Sequence, residues 1–192
     1  MLLPLVLLLL PRVDAAFSAT MSRKALAQPI LLLFLGWALS RLAPLWRAAS
    51  YAPSAVVGAI LLLMFWMIPR SIDLTQIYPE VNDLYVLTLF AVGFLLSHYF
   101  PLMPGVAKVV SALYLSSMIV ALGLLYASLT TLLCSAFTLE DQHAFGWMLI
   151  PLGLVLYMIV LVRMPSWLTS SVENRQIRAD SGQVDAYPAC RK

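Results

Sequence analysis

Leu139–Gly153 reads LEDQHAFGWMLIPLG. Two carboxylates, an amide and an imidazole (Glu140, Asp141, Gln142 and His143) stand at the mouth of an apolar run that continues to Met164. A helix needs about 20 apolar residues to cross ~30 Å of hydrocarbon, and the run over 144–164 meets that length. The stretch predicts a membrane span entered from a polar loop. Acids suit such a place, because they meet the free N–H groups and the positive dipole end of the helix.

Four earlier runs share this character: 109–137, 84–103, 53–69 and 26–46. Each is long enough to cross, the longer ones with some tilt. Hydrocarbon offers the backbone no water, so each run must be helical. Composition agrees. The 192 residues are 62% hydrophobic and 11% charged, with mean hydropathy +0.91. Soluble domains carry about 25% charged residues, and so few charges cannot cover a soluble surface. The expected fold class is all-α: a polytopic membrane protein with a bundle of about five transmembrane helices over 21–164.

The flanks read differently. In residues 1–20 the apolar run Leu2–Leu10 is too short to span. It reads as a signal-peptide core with small residues at Ala15, Ala16, Ser18 and Ala19, or as a mis-assigned start ahead of Met21. Residues 165–192 are polar and of mixed charge, expected to form a cytoplasmic tail whose last half is disordered.

The pI near 9.0 does not point to nucleic acid here, because Lys and Arg sit in short flanks where they set topology. With the N-terminus outside, the inner face holds Arg41, Arg47, Lys108, Arg163, Arg175, Arg178, Arg191 and Lys192. The outer face holds Arg12, Arg23, Lys24 and Arg70. The excess inside predicts an N-out, C-in arrangement. The segments 70–83 and 138–143 then become outer loops carrying Asp73, Glu80, Asp83, Glu140, Asp141 and His143.

These residues are the candidate site. Asp73, Glu80, Asp83, Glu140, Asp141 and Gln142 are expected to dock a partner, although Glu140 and Asp141 serve equally as helix-start residues. Met64 and Met67 lie three apart and share a helix face. With His143 at the same membrane level, their soft thioethers suit transient copper as Cu(I). Methionines are also ordinary packing residues. His98 is an ionisable residue at membrane depth, a functional candidate or an interfacial anchor beside Tyr99. Trp66, Trp147 and Trp167 read as interfacial belt residues. The hydroxyls of 109–137 suit close helix packing. Cys134 and Cys190 form no metal spacing and read as free thiols. No nucleotide-binding glycine loop or nucleophile–base set is present, so an enzyme is not expected.

Three stretches carry a family resemblance. Residues 65–73, FWMIPRSID, look like a W-H-x-P segment with Trp66 and Pro69 kept. Residues 87–96, LTLFAVGFLL, look like a helix with Gly93 in its expected place. Leu139–Gln142 running on to Gly146 and Pro151 looks like a D-Q-Q-x-x-G segment. In order and spacing, residues 55–165 resemble the C-terminal part of the CtaG-type cytochrome c oxidase assembly factors. The resemblance implies a non-enzymatic membrane accessory factor for a haem-copper oxidase in a bacterial inner membrane, with oxidase subunits and the lipid bilayer as partners and copper delivery as a further role. The sequence departs at the family's histidines: Met67 replaces one, Asn82 and Val86 stand where two others are expected, and the His-rich N-terminal helices have no counterpart. The alternative expectation is a small transporter or channel-like subunit of a respiratory complex, which requires polar residues inside the bundle.

Overall fold

A computed structural model describes residues 17, 19–42, 51–131 and 137–184. Among these, all regular structure is helical. Helix α1 is Arg23–Leu42 and opens with a π-helical turn, Arg23–Ala27. Helix α2 is Ala52–Trp66, α3 is Pro69–Ile77, and α4 is Pro79–Tyr99, continued by a 3-10 turn, Phe100–Leu102. Helix α5 is Gly105–Ser128, and α6 is Leu139–Val184. Helices α1, α4, α5 and α6 are long and apolar enough to cross a membrane. The bent pair α2–α3 makes a fifth crossing if its two arms count as one span. The chain is an all-α membrane protein, as its composition requires.

Prolines set most of the breaks. Pro69, Pro79 and Pro101 sit at the first positions of their helices, where the missing N–H is no loss. The sequence reading ends the second span at Pro69. Instead α2 stops at Trp66, and α3 starts at Pro69 after a bend of 70°. At 1.5 Å per residue, the 15 residues of α2 reach only about 22 Å, so α2 alone falls short of the hydrocarbon thickness. The expected loop 70–83 is instead helical on both sides of Tyr78, the one residue between α3 and α4.

Pro29 explains the π turn. A proline inside an α-helix offers no N–H and presses its ring against the carbonyl four residues back, here that of Ala25. The chain widens at this point. The Gln28 N–H goes to the Arg23 carbonyl, five residues back. The Lys24 carbonyl then receives the Tyr85 hydroxyl from α4 at 2.8 Å.

Two glycine crossings hold the spans together. Gly36 of α1 lies on Gly93 of α4, so that a Cβ at Gly93 would stand 2.6 Å from the Leu33 Cα. Gly123 of α5 meets Gly146 of α6 in the same way, with the Gly123 carbonyl 2.8 Å from where a Gly146 Cβ would be. Without a hydrophobic drive between helices in lipid, such backbone approach is what gains dispersion energy. Helix α2 packs on α4 through Ala59, Leu63, Trp66, Leu89 and Val92. At the Lys24 end, Met21, Ile72, Tyr126, Phe145 and Leu149 join α1, α3, α5 and α6 in a second core. Large side chains such as Phe34, Leu61, Leu87, Val110, Val155 and Val162 stay exposed and face hydrocarbon in a membrane.

The ends differ from expectation. Helix α6 starts at Leu139, so the acidic tetrad lies in its first turns rather than in a loop before it. It also runs through Pro165 to Val184, so much of the tail is helical. Helix α5 stops at Ser128, short of the expected 137. Nearly all of the leader 1–20 and residues Arg47, Cys134, Cys190, Arg191 and Lys192 lie outside the described residues.

Candidate functional site

Helices α1, α4 and α6 begin, and α2 and α5 end, at the same face of the bundle, which carries Lys24, Met67, Asn82, Tyr126 and Gln142. This end holds all nine residues singled out as the candidate site. They fall into three groups.

The first is the five acids. Glu80 and Asp83 lie in the first turns of α4 and Glu140 in the first turn of α6, all open to the surroundings. Asp73 on α3 is half-buried. Asp141, also half-buried, is committed to the helix start. Its backbone N–H donates to Thr138 Oγ1 at 3.2 Å, and the Thr138 hydroxyl donates to its Oδ2 at 2.9 Å. Thr138 is thus an N-cap whose hydroxyl is itself held by the acid three residues later. Thr138→Ala is expected to lower stability by about 1 kcal/mol. Thermal unfolding of the detergent-solubilised protein checks it, and an unchanged midpoint would show that the cap is not formed.

The second group is internal. Gln142 was expected on the docking surface but is fully buried. It faces inward because it shares a helix side with Phe145 and Leu149, both core residues. Its amide donates to the Thr131 carbonyl at 3.4 Å. An internal contact between α6 and the end of α5 is thus its role.

The third group is the methionine and histidine set. Met64, half-buried, packs against the Leu63–Leu89 core and the Ile60–Met103 core. Met67 lies beyond the end of α2 and packs against the Tyr126–Phe145 core. Its carbonyl accepts the Tyr126 hydroxyl at 3.0 Å. His143 Nε2 lies 2.9 Å from the Leu129 carbonyl, which leaves Nδ1 as the ring nitrogen for any metal. No group of three His, Cys, Asp or Glu side chains among the described residues could hold a metal ion.

Sequence reasoning missed the densest polar feature. Lys24 is only 1% exposed, and its Nζ donates to Asn82 Oδ1 at 2.6 Å. The ammonium also stands 5.6 Å from the centre of the Tyr85 ring, within cation–π range. Four residues along α1, Gln28 is 0% exposed, and neither atom of its amide has a hydrogen-bond partner among the described residues. In the sequence Lys24 is one more flanking cation and Gln28 a polar residue next to a proline. The departure at Asn82 was the one available signal.

Other residues also turn inward. Trp66, expected in an interfacial belt, is buried, with its indole N–H donating to Thr88 Oγ1 at 2.8 Å. Trp147 remains exposed, and Trp167 packs edge-on against Phe100. His98, at the opposite end of the bundle, is buried and stacked on Phe94, and its Nε2 has no partner among the described residues. In comparison with known proteins, no family model matches the chain, and neither does any curated protein or solved structure.

Proposed function

We propose that the chain is a non-enzymatic integral membrane accessory factor that docks a partner complex through the acidic end of its bundle. The observation that carries this reading is the shared, exposed position of Glu80, Asp83 and Glu140 on that end. Carboxylates at a helix start cost little in isolation. Grouped on one face they steer a basic partner and fix its register more than they add affinity. The resemblance of FWMIPRSID, LTLFAVGFLL and Leu139–Gln142 to oxidase assembly factors supports a haem-copper cytochrome c oxidase as that partner. It also supports a bacterial inner membrane as the location. The Lys and Arg distribution supports this end facing outward. Copper handling through Met64, Met67 and His143 is a finer form of the proposal and rests on the soft thioethers.

The test is purification in detergent, with identification of co-purifying proteins and a copper titration. Oxidase subunits are expected with the wild type and not with Glu80→Gln/Asp83→Asn/Glu140→Gln. Recovery of no oxidase subunit would end the assembly reading. Copper no higher in the wild type than in Met67→Ala/His143→Ala would end the copper role.

A second reading, a small transporter or channel-like subunit, is favoured by a different observation. The α2–α3 span is broken by 70° beside an interior that holds Lys24, Gln28 and Asn82. Broken helices beside buried polar groups are a common way to build a solute site in a membrane. Solute flux in proteoliposomes distinguishes the two.

A further inference from the structure

Gln28 is the least satisfied side chain of the acidic end. Its amide presents two donors and an acceptor, all enclosed, with no partner among the described residues. Enclosed amides of this kind are paired in nearly all folded proteins, because an unmet donor or acceptor in a low-dielectric interior raises the free energy of the state that holds it. The arrangement seen here is penalised wherever Gln28 is shut away from water.

The π turn lies immediately before Gln28 and has a second arrangement available to it. In the π form, the Gln28 N–H reaches the Arg23 carbonyl, and the Tyr85 hydroxyl occupies the Lys24 carbonyl. In an α form, the Gln28 N–H would instead reach the Lys24 carbonyl, four residues back, and the Tyr85 hydroxyl would be displaced. The exchange conserves one bond to Lys24. Narrowing the turn also rotates everything before it by about one residue position, near 100°. That swings Lys24 away from Asn82 and off the outer side of Gln28. What opposes the α form is Pro29, whose ring would press on the Ala25 carbonyl. The π form encloses an amide with no partner among the described residues; the α form crowds the proline and gives up the Tyr85 and Asn82 bonds. Short π segments inside helices recur at functional sites.

We infer that the Arg23–Ala27 turn is a gate, that the structure shows it closed, and that its opening admits water to Gln28 from the Lys24 end. Water is the ligand the amide calls for, since it both donates and accepts, whereas a simple anion would leave the Gln28 carbonyl unmet. The open form is a minor state, of the kind populated at about 0.1–10%. The gate is independent of partner docking and stands whether or not the acidic end binds an oxidase.

Thiol accessibility tests it. In a Cys134→Ala/Cys190→Ala background, single cysteines are placed at Ala25, Gln28, Leu32 and Glu80 of the full chain in membrane vesicles. A charged, membrane-impermeant thiosulfonate is then applied to each side. Leu32 is as buried as Gln28 but lies deeper on α1, so it reports general leakiness. Glu80 is exposed and sets the full rate. Ala25→Cys leaves the Gln28 amide in place. Ala25→Cys and Gln28→Cys are expected to react from the Glu80 side at roughly a thousandth to a tenth of the Glu80→Cys rate, with Leu32→Cys silent. Adding Tyr85→Phe removes the hydroxyl that holds the π form and is expected to speed both several-fold. Labelling of Ala25→Cys and Gln28→Cys no faster than Leu32→Cys, with and without Tyr85→Phe, would overturn the gate. So would an equal rise at Leu32→Cys, which would mark unfolding.

Discussion

Gly93→Ala is expected to destabilise the bundle by about 2–3 kcal/mol, the upper part of the range for overpacking. The added methyl would meet the Leu33 carbonyl oxygen, with the Leu33 Cα at 2.6 Å and its carbonyl carbon at 2.9 Å. These atoms are backbone, so no side chain can rotate out of the way. Helices α1 and α4 must separate or slide, and dispersion along the whole crossing weakens with the gap. Gly36→Ala strikes the same crossing from the other side, against the Phe94 nitrogen at 2.6 Å. Gly58 supplies the comparison, because nothing lies within 4 Å of a Cβ placed there. Gly58→Ala is expected to leave stability unchanged or raise it by up to about 1 kcal/mol, since an open position inside a helix gains when glycine's backbone freedom is removed. SDS-induced unfolding from dodecylmaltoside micelles measures all three. If Gly93→Ala and Gly58→Ala unfold at the same SDS fraction, α1 and α4 do not cross at Gly93.

Trp66→Ala is expected to cost about 3–5 kcal/mol, as for other large aromatic truncations. Trp66 ends α2 beside the bend. Its ring stands edge-on to Tyr85 at 5.2 Å and 82°, and next to Phe65 at 5.1 Å. Removing it opens a cavity between α2 and α4 and frees Tyr85 on one side. Trp66→Phe keeps an aromatic ring and loses the bond to Thr88. Thr88 still donates to the Leu84 carbonyl at 2.6 Å, so this loss is expected to be nearer 1 kcal/mol. The same SDS titration separates the two. Equal losses in Trp66→Ala and Trp66→Phe would mean that the hydrogen bond, not the packing, holds the α2 end.

The spans were readable because their signal is local. A run of apolar residues with few charges has one stable form in lipid, and α1, α4, α5 and α6 follow from it. The break at Trp66–Pro69 was harder. Pro69 marks a discontinuity in either reading, and whether a loop or a new helix follows depends on packing. Helix α3 has nine residues, too few to show a convincing period. It is anchored by Ile72 against Tyr126 and Phe145, residues far along the chain. The acidic tetrad divided along the same line. The helix-start role of Asp141 follows from Thr138 three residues earlier, a local pattern. The burial of Gln142 follows from the inward side it shares with Phe145. Lys24 and Gln28 were least readable. Nothing near Lys24 in the sequence distinguishes a topology-setting cation from an interior one; the difference is made by Asn82 and Tyr85 on another helix.

The pairing of α1 with α4 also has a consequence for biosynthesis. Lys24 and Asn82 are 58 residues apart. At about 5–20 residues per second, a ribosome needs about 3 to 12 seconds to deliver the partner. During that interval α1 is in or beside the bilayer with an ammonium and an amide that its own sequence cannot satisfy, a poor insertion substrate. Lys24→Leu would relieve that wait, so faster membrane integration of nascent α1 is the expected phenotype, even where the finished bundle loses its Asn82 bond.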